Sequence, residues 1–387
     1  MNTTISSFDS SPDASHQGTQ KRTQKRTLQD ANDRTRCLRP AALLSLLALL
    51  AGCASGPLLP TQMPRPVLST APESPALTAE QILLRNLVAY QDRLYRVSGP
   101  LLTSNPDLCK GNNARNLFGF TAKNKYSWSP ELADSAQSLL GLDDRLQVLG
   151  VLPNSGAQRA GLKPGDKLVS VEGKPIPGGQ NAERQAAALL APMVSRKSSV
   201  SAVIQRNGAS VPMTINLTRA CAYGVVLGNA DNINAYSDGQ RVLITRGMMN
   251  FAQSDDDLAL VLAKEMAHNS LLHPGKQKTG ATSADIIDNL VRVRPDMSAM
   301  AGAAGLRPMP QELDAAADVL ALYMVARAGY RYENAPRFWE KLARQVPANI
   351  LNGYTAIHPA TEYRLSVIGK IVPEIKAKQA GRQALLP

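Results

Sequence analysis

Residues Ser254 to His273, SDDDLALVLAKEMAHNSLLH, decide how the rest of the chain is read. Taken at 3.6 residues per turn, the stretch is a helix. Ser254 is placed to cap it. Asp255, Asp256 and Asp257 set negative charge on the first turn, where unpaired N–H groups and the helix dipole favour it. Leu258, Leu260, Val261, Leu262 and Met266 make the helix apolar on almost every side, which predicts burial. Its middle nevertheless carries Lys264, Glu265 and His268, in the spacing K-E-x-x-H. Charged groups inside a buried helix need partners or a function.

Around this helix lies a chain of 387 residues, long enough for two or three domains. Aromatic residues are only 4%, so aliphatic side chains must fill the cores. The formal net charge is +12, but the charges are scattered and form no basic patch with interleaved aromatics. That excludes a nucleic-acid partner and reads as a solvated surface. Residues 1–36 are polar, and Arg34, Arg36 and Arg39 then precede AALLSLLALLAGC, an apolar run too short to span a bilayer. Its end, Leu50-Ala51-Gly52-Cys53, resembles the lipobox of bacterial lipoproteins. The resemblance implies that residues 1–52 are a lipoprotein signal peptide with a long polar leader. It also implies that Cys53 carries the lipid and holds the protein on a membrane. Ala54, where an aspartate would argue for inner-membrane retention, points to the outer membrane, with the protein facing the periplasm. Residues 53–77 are rich in Pro, Ser and Thr and read as a tether. A helical pattern follows from Thr78 to about Val97. In an oxidising compartment Cys109 and Cys221 are expected to form a disulfide; the other reading is two buried free thiols.

Between those cysteines, residues 146–173 read LQVLGVLPNSGAQRAGLKPGDKLVSVEG. Gly161 and Gly165 supply turns around a short helix, and alternation predicts a strand at Lys167–Val171. Pro153, Ser155-Gly156-Ala157, Ala160-Gly161-Leu162 and Gly165-Asp166 resemble a PDZ domain of the bacterial protease-associated kind. Residues 181–191 predict its second helix. Val200–Gln205 and Val211–Leu217 predict a hairpin turning at Asn207-Gly208. The resemblance implies capture of an extended peptide by strand addition. Leu117-Phe118-Gly119-Phe120 resembles that family's carboxylate-binding loop; its other reading is a strand end in the core.

The second half carries Asn234-Ala235-Tyr236, then Arg241 to Thr245 (RVLIT), Arg246-Gly247-Met248-Met249, the K-E-x-x-H helix, DAAADVLALYMVARAGY at Asp314–Tyr330, and His358-Pro359 with Arg364. Over about residues 220–372 this resembles the zinc metallopeptidase family of the CAAX prenyl endopeptidase and the bacterial heat-shock membrane protease, to which soluble periplasmic lipoproteins also belong. The implied fold is α+β. Residues 78–220 would form an N-terminal helix plus a β-rich PDZ-like domain, and residues 221–387 a mostly helical zincin-type metallopeptidase domain with a small edge sheet. The implied chemistry is peptide hydrolysis. Residues 241–245, with Arg241, Leu243 and Thr245, would be the edge strand that pairs with substrate backbone.

In that family the motif is H-E-x-x-H. Its two imidazoles, at i and i+4 and about 6 Å apart along the axis, reach one zinc, with the Glu as general base. Here Lys264 stands where the first imidazole would be, Glu265 at the base and His268 at the second imidazole. Asp314 replaces the third ligand, a Glu on a later helix, and Asp318 takes the place of the Asp that orients a ligand. Asp for Glu shortens reach by about 1.5 Å. The lysine is the larger change, because an ammonium has three donors and no lone pair. It can occupy the cation's place and pair with Asp314 or Glu265. Zinc is therefore expected to be absent or weakly bound. The chain is expected to act as a pseudoprotease that binds extended or unfolded polypeptide in envelope protein quality control. A second reading keeps a metal: His358 joins His268 and Asp314, and Glu265 serves as base to a bound water. A third makes Lys264 itself a base. His273 is expected to be a polar residue bonded to backbone.

Overall fold

A computed structural model of the chain describes residues 76–109, 113–276, 283–298, 300 and 306–387. The expected signal peptide, the expected lipidation site Cys53 and all but the last two residues of the expected tether lie outside them. Thr78 caps helix α1 (Ala79–Ser104) by a reciprocal pair of bonds with Gln81, at 3.0 and 3.2 Å. This helix runs past Val97, through Gly99-Pro100. Leu101 and Leu102 beyond the proline are buried, and Gly99 has no side chain to meet Pro153, whose Cδ would lie 2.6 Å from a Cβ there. The proline forgoes one helical hydrogen bond, and the buried turn after it keeps the helix going.

The chain then forms β1 (Ala114–Leu117), β2 (Phe120–Lys123), α2 (Pro130–Leu140), β3 (Gln147–Val151), α3 (Gly156–Arg159), β4 (Lys167–Val171), β5 (Lys174–Pro175), α4 (Ala182–Arg196), β6 (Ser199–Arg206) and β7 (Ala209–Asn216). Strands β2-β3-β4-β6-β7 make one antiparallel sheet, with β5 added against β4. Asn207 and Gly208 both take positive φ, 50° and 82°, which a two-residue hairpin turn matching the strand twist requires. Phe118 and Phe120 are buried in this sheet's core with Val148, Leu168, Leu190 and Ile204. The Gly119 carbonyl between them accepts from Leu152 N at 2.8 Å and from Ser155 Oγ at 3.2 Å. The segment 117–120 connects β1 to β2, with Leu117 buried in the core that α1 shares and Phe118 and Phe120 in that of the sheet.

Strand β8 (Thr218–Cys221) pairs antiparallel with β1, and a disulfide joins Cys109 to Cys221 across a Cα–Cα distance of 5.6 Å. The remainder is β9 (Gly224–Gly228), β10 (Ala235–Ser237), β11 (Arg241–Thr245), α5 (Arg246–Phe251), α6 (Asp255–Ser270), α7 (Ser283–Leu290), α8 (Gln311–Arg327), α9 (Ala335–Gln345), α10 (Tyr354–Ile357) and α11 (Glu362–Ala380). The fold is α+β, a PDZ-like β-rich part followed by a mostly helical part with a small sheet.

Two groupings differ from the sequence reading. First, α1 shares its core with the C-terminal half: Leu94, Val97 and Leu101 cluster with Leu260, Leu322 and Met324. Arg93 reinforces this, donating to the carbonyls of Met249, Ala252 and Ser254 at 2.6–2.9 Å and pairing with Asp255 at 3.2 Å. Second, β11 is not an edge. The order is β10-β11-β9, with β10 antiparallel and β9 parallel to β11. Arg241, Leu243 and Thr245 are buried on an interior strand whose backbone is already paired on both sides, so it cannot take a substrate strand. Thr245 instead caps α5 through Met248 N, and Arg241 pairs with Asp238 at 2.7 Å and Asp288 at 2.5 Å. The outer positions belong to β10 and β9.

The motif helix α6 begins as its sequence requires. Ser254 Oγ accepts from Asp257 N at 3.1 Å, and every residue from Leu258 to Ser270 is buried. Ser254→Ala should lower stability by about 1 kcal/mol, read as a shift of the urea midpoint at unchanged slope. No helix among the described residues is long and apolar enough to cross a membrane.

Candidate functional site

The site forms where α6 crosses α8 and the segment 354–364 folds over both. Lys264, Glu265 and His268 project from α6, and Asp314 and Asp318, one turn apart, from α8. All five are at most 2% exposed. Their burial raises the stakes of every pairing, since an unpaired charge here would be strongly opposed.

Lys264 lies at the centre. Its Nζ is 2.8 Å from Asp318 Oδ1, 3.2 Å from Asp314 Oδ1 and 5.2 Å from the centroid of the Trp339 ring. Arg364 approaches from the other side. Its Nε donates to Asp318 Oδ2 at 2.7 Å, while two of its other bonds go to the carbonyls of His358 and Pro359, at 3.0 and 2.7 Å. Burial works against the guanidinium's charge, but Asp318 and Asp314 outweigh it and hold the group further above its ordinary range.

Asp314 Oδ1 is the meeting point. His358 Nδ1 lies 2.7 Å away and His268 Nε2 3.1 Å away, in addition to Lys264. Its Oδ2 has no hydrogen bond; Arg364 attracts it from 3.5 Å. Burial would raise the Asp314 carboxyl, yet Lys264, His358 and the two imidazole bonds prevail and hold it well below the usual carboxylate range. Burial pushes the His268 imidazole down, against the pull of Asp314. One ring nitrogen of His268, one of His358 and an Asp314 oxygen all fall within 4.8 Å of one another.

Three residues complete the site without having been singled out for it. His273 is bonded through its ring, not only to backbone: its Nδ1 meets His268 Nδ1 at 3.0 Å, so one imidazole donates and the other accepts. The Tyr354 hydroxyl donates to Glu265 Oε1 at 2.9 Å. Burial, then the negative charge of Glu265 and Asp314, pushes the phenol well above its ordinary range. Trp339 stacks on Tyr354 with ring centroids 5.7 Å apart and carries both cations against its ring. Glu265 also faces His358 Nε2 at 3.8 Å.

Comparison with known families and structures adds to this geometry. The pattern of Peptidase family M48 matches residues 196–372, and that of the PDZ domain matches residues 147–216. The Mitochondrial metalloendopeptidase OMA1 of Arabidopsis thaliana is 25% identical over 178 residues, covering 43% of this chain and 36% of that protein. The protein of the same name from Schizosaccharomyces pombe is 23% identical over 147 residues, covering 36% of this chain and 44% of its own length. The chain therefore spans less than half the length of these curated relatives. Among solved structures, the HtrA-type protease AlgW with decapeptide is 29% identical, over 27% of this chain and 30% of that one, with a TM-score of 0.20. The HtrA3 PDZ domain bound to a phage-derived ligand is 24% identical, over 28% of this chain and 90% of that one, also with a TM-score of 0.20.

Proposed function

We propose, from the match of residues 196–372 to Peptidase family M48 and of residues 147–216 to the PDZ domain, a polypeptide-binding envelope lipoprotein whose zinc centre has been replaced by an internal cation. The carrying observation is the buried Lys264 ammonium, shared between Asp318 at 2.8 Å and Asp314 at 3.2 Å.

The side chains do not fit a zinc ion. Four-coordinate zinc, with nitrogen and oxygen ligands at about 2.0–2.2 Å, holds its ligand atoms about 3.3 Å apart. Here His358 Nδ1 and Asp314 Oδ1 stand at 2.7 Å, a hydrogen-bond distance. The same oxygen already faces three nitrogen donors. A divalent ion beside it would also meet the ammonium's charge, with no lone pair offered in return. What these residues do is neutralise and order one another. Lys264 and Arg364 offset the charges of the two aspartates, and Tyr354 donates to Glu265. The PDZ domain supplies the means of gripping an extended chain, and the lipid expected at Cys53 would hold the protein on the outer membrane, facing the periplasm.

One observation favours a second reading, an active zinc metalloendopeptidase. His268, Asp314 and His358 converge closely enough to be gathered by one ion, and Glu265 is near enough to act as base. Zinc content separates the two. The purified chain is expected to hold far less than one zinc per molecule. The Lys264→His, Asp314→Glu double variant should take up nearly one and cleave an unfolded substrate. Near-stoichiometric zinc in the unmodified chain, lost on His268→Ala, would overturn the replacement by lysine.

A further inference from the structure

We propose that the loop between α9 and α10, with the outer face of α9, docks on an anionic phospholipid bilayer, its apolar tip entering the surface and its cations meeting the headgroups. Ile350 and Leu351 at the tip are 45% and 70% exposed. Among the described residues they are the only two exposed large apolar side chains adjacent in sequence. One such side chain on a surface is ordinary, whereas two side by side call for a partner.

The loop does not expose them through slack. Ile350 N donates to the Pro347 carbonyl at 2.9 Å and Gly353 N to the Ile350 carbonyl at 3.2 Å, two tight turns in succession. The Asn352 carbonyl accepts from Asn234 Nδ2 at 3.0 Å and from Asn232 Nδ2 at 2.8 Å, and the Thr355 hydroxyl donates to the Val346 carbonyl. Gly353 fits only without a side chain, since a Cβ there would lie 2.6 Å from Val346 Cγ1. The backbone is fastened from within, and Val346 and Tyr354 already fill the interior on either side. The tip can bury its apolar surface only in something outside the chain.

The charges beside the tip select the partner. Arg337, Lys341 and Arg344 fall at i, i+4 and i+7, on the side of α9 opposite the buried Phe338, Trp339 and Leu342. Lys341 leans on the Phe251 ring at 4.7 Å, while Arg337 and Arg344 are exposed. Glu340, 3.6 Å from Arg344, offsets one charge and leaves the face positive. Phosphate headgroups match such a face, and guanidinium groups suit them best. A second copy of the chain matches less well, because two side chains fall far short of the roughly 800 Å² per partner that a stable interface buries.

The choice of occupant rests on the lipoprotein reading above. Lipid on Cys53, followed by residues 54–77 spanning at most roughly 85 Å, would keep the folded part beside a bilayer. The test reads the loop and the anchor separately. Asn349→Cys places a thiol at the exposed tip for a nitrobenzoxadiazole label, with the unchanged chain labelled alike as the blank; Ser210→Cys, on the exposed strand β7, is the distant control. The full chain is placed on vesicles of phosphatidylethanolamine and phosphatidylglycerol carrying nitroxide-labelled lipid. The label at 349 should be quenched and the one at 210 should not. Quenching should fall on phosphatidylcholine vesicles and disappear in Ile350→Ser, Leu351→Ser. Each of Arg337→Gln and Arg344→Gln should lower the ratio of docked to free loop roughly fivefold. All four replacements are of exposed side chains, and an unchanged urea midpoint confirms the fold. A label at 349 that is not quenched while mass spectrometry finds lipid on Cys53 would overturn the docking and leave the lipoprotein reading intact, as would quenching that survives the double serine variant. A quenched label in a chain without lipid on Cys53 would remove the anchor and leave the docking site standing.

Discussion

Replacing Arg364 with methionine is expected to cost about 3–5 kcal/mol, as when one partner is taken from a buried charge cluster. The side chain is 2% exposed and four of its five N–H donors are bonded, with Asp318 on one edge and the His358 and Pro359 carbonyls on the other. Methionine keeps much of the volume, so the loss isolates the pairing rather than the packing. Asp318 would be left to Lys264 alone, and Asp314 Oδ2, which no hydrogen bond supports, would lose the guanidinium 3.5 Å away. Arg364→Lys should recover only part of the loss, because a single ammonium cannot span a carboxylate and two carbonyls at once. The measurement is the urea unfolding midpoint for the three proteins at matched slope. A methionine variant within about 0.5 kcal/mol of the parent would behave like a surface substitution and would contradict a cluster held together by its charges.

Part of this site could be read from spacing alone. K-E-x-x-H places Lys264, Glu265 and His268 within four residues of one helix, and that helix announces itself by its cap and its apolar run. Asp314 and Asp318 are also four apart, so helical geometry alone puts them on one face of α8. A lysine among buried carboxylates has few options other than pairing with them. The partners that close the network come from tertiary contacts that no local pattern encodes. Tyr354 reaches Glu265 across 89 positions. His273 meets His268 only because the chain turns back at Leu272, a non-glycine residue at φ 58° just past the end of α6. Trp339 reads as core from its helix, and nothing in its neighbours says that two cations rest against it.

The errors have a common physical origin as well. RVLIT at 241–245 is continuously apolar but for its ends, and such a run suits a strand buried on both faces better than one that offers an edge. Position in a sheet depends on which other strands arrive, and β9 arrives from the far side in parallel, out of reach of any hairpin signal. Helix α1 precedes the PDZ-like domain in the chain, and its buried residues carry no mark of which core they enter. It packs on both parts: Leu84 clusters with Ala136 and Leu142, while Leu94 and Leu101 join the C-terminal core and Arg93 clamps the start of α6. The PDZ-like part was more legible because its turns are chemically specified, Asn207-Gly208 above all.

Changing Cys109 and Cys221 together to alanine is expected to lower stability, with a ceiling of roughly 4–5 kcal/mol on the chain-entropy view, since the bridge closes a separation of 112 residues. The effect should fall short of that limit here. Strands β1 and β8, directly beside the cysteines, already hold the same two segments together in register, Ala114 opposite Cys221, and a compact unfolded chain loses less entropy on cross-linking than an ideal one. Both sulfurs sit in the shared core, at 4% and 0% exposure, so alanine also gives up some packing. The bridge fastens the two ends of the PDZ-like domain to the floor of the C-terminal core, near Ser270 at the end of the motif helix. Its loss should therefore lower the cooperativity between the two parts, seen as a broadened urea transition, in addition to moving the midpoint. Thiol titration in denaturant without reductant gives the independent check. Cys109 and Cys221 should be unreactive until a reductant is added, whereas two thiols that react at once, with a midpoint unchanged in the double variant, would mean that the ends are held by β1 and β8 alone.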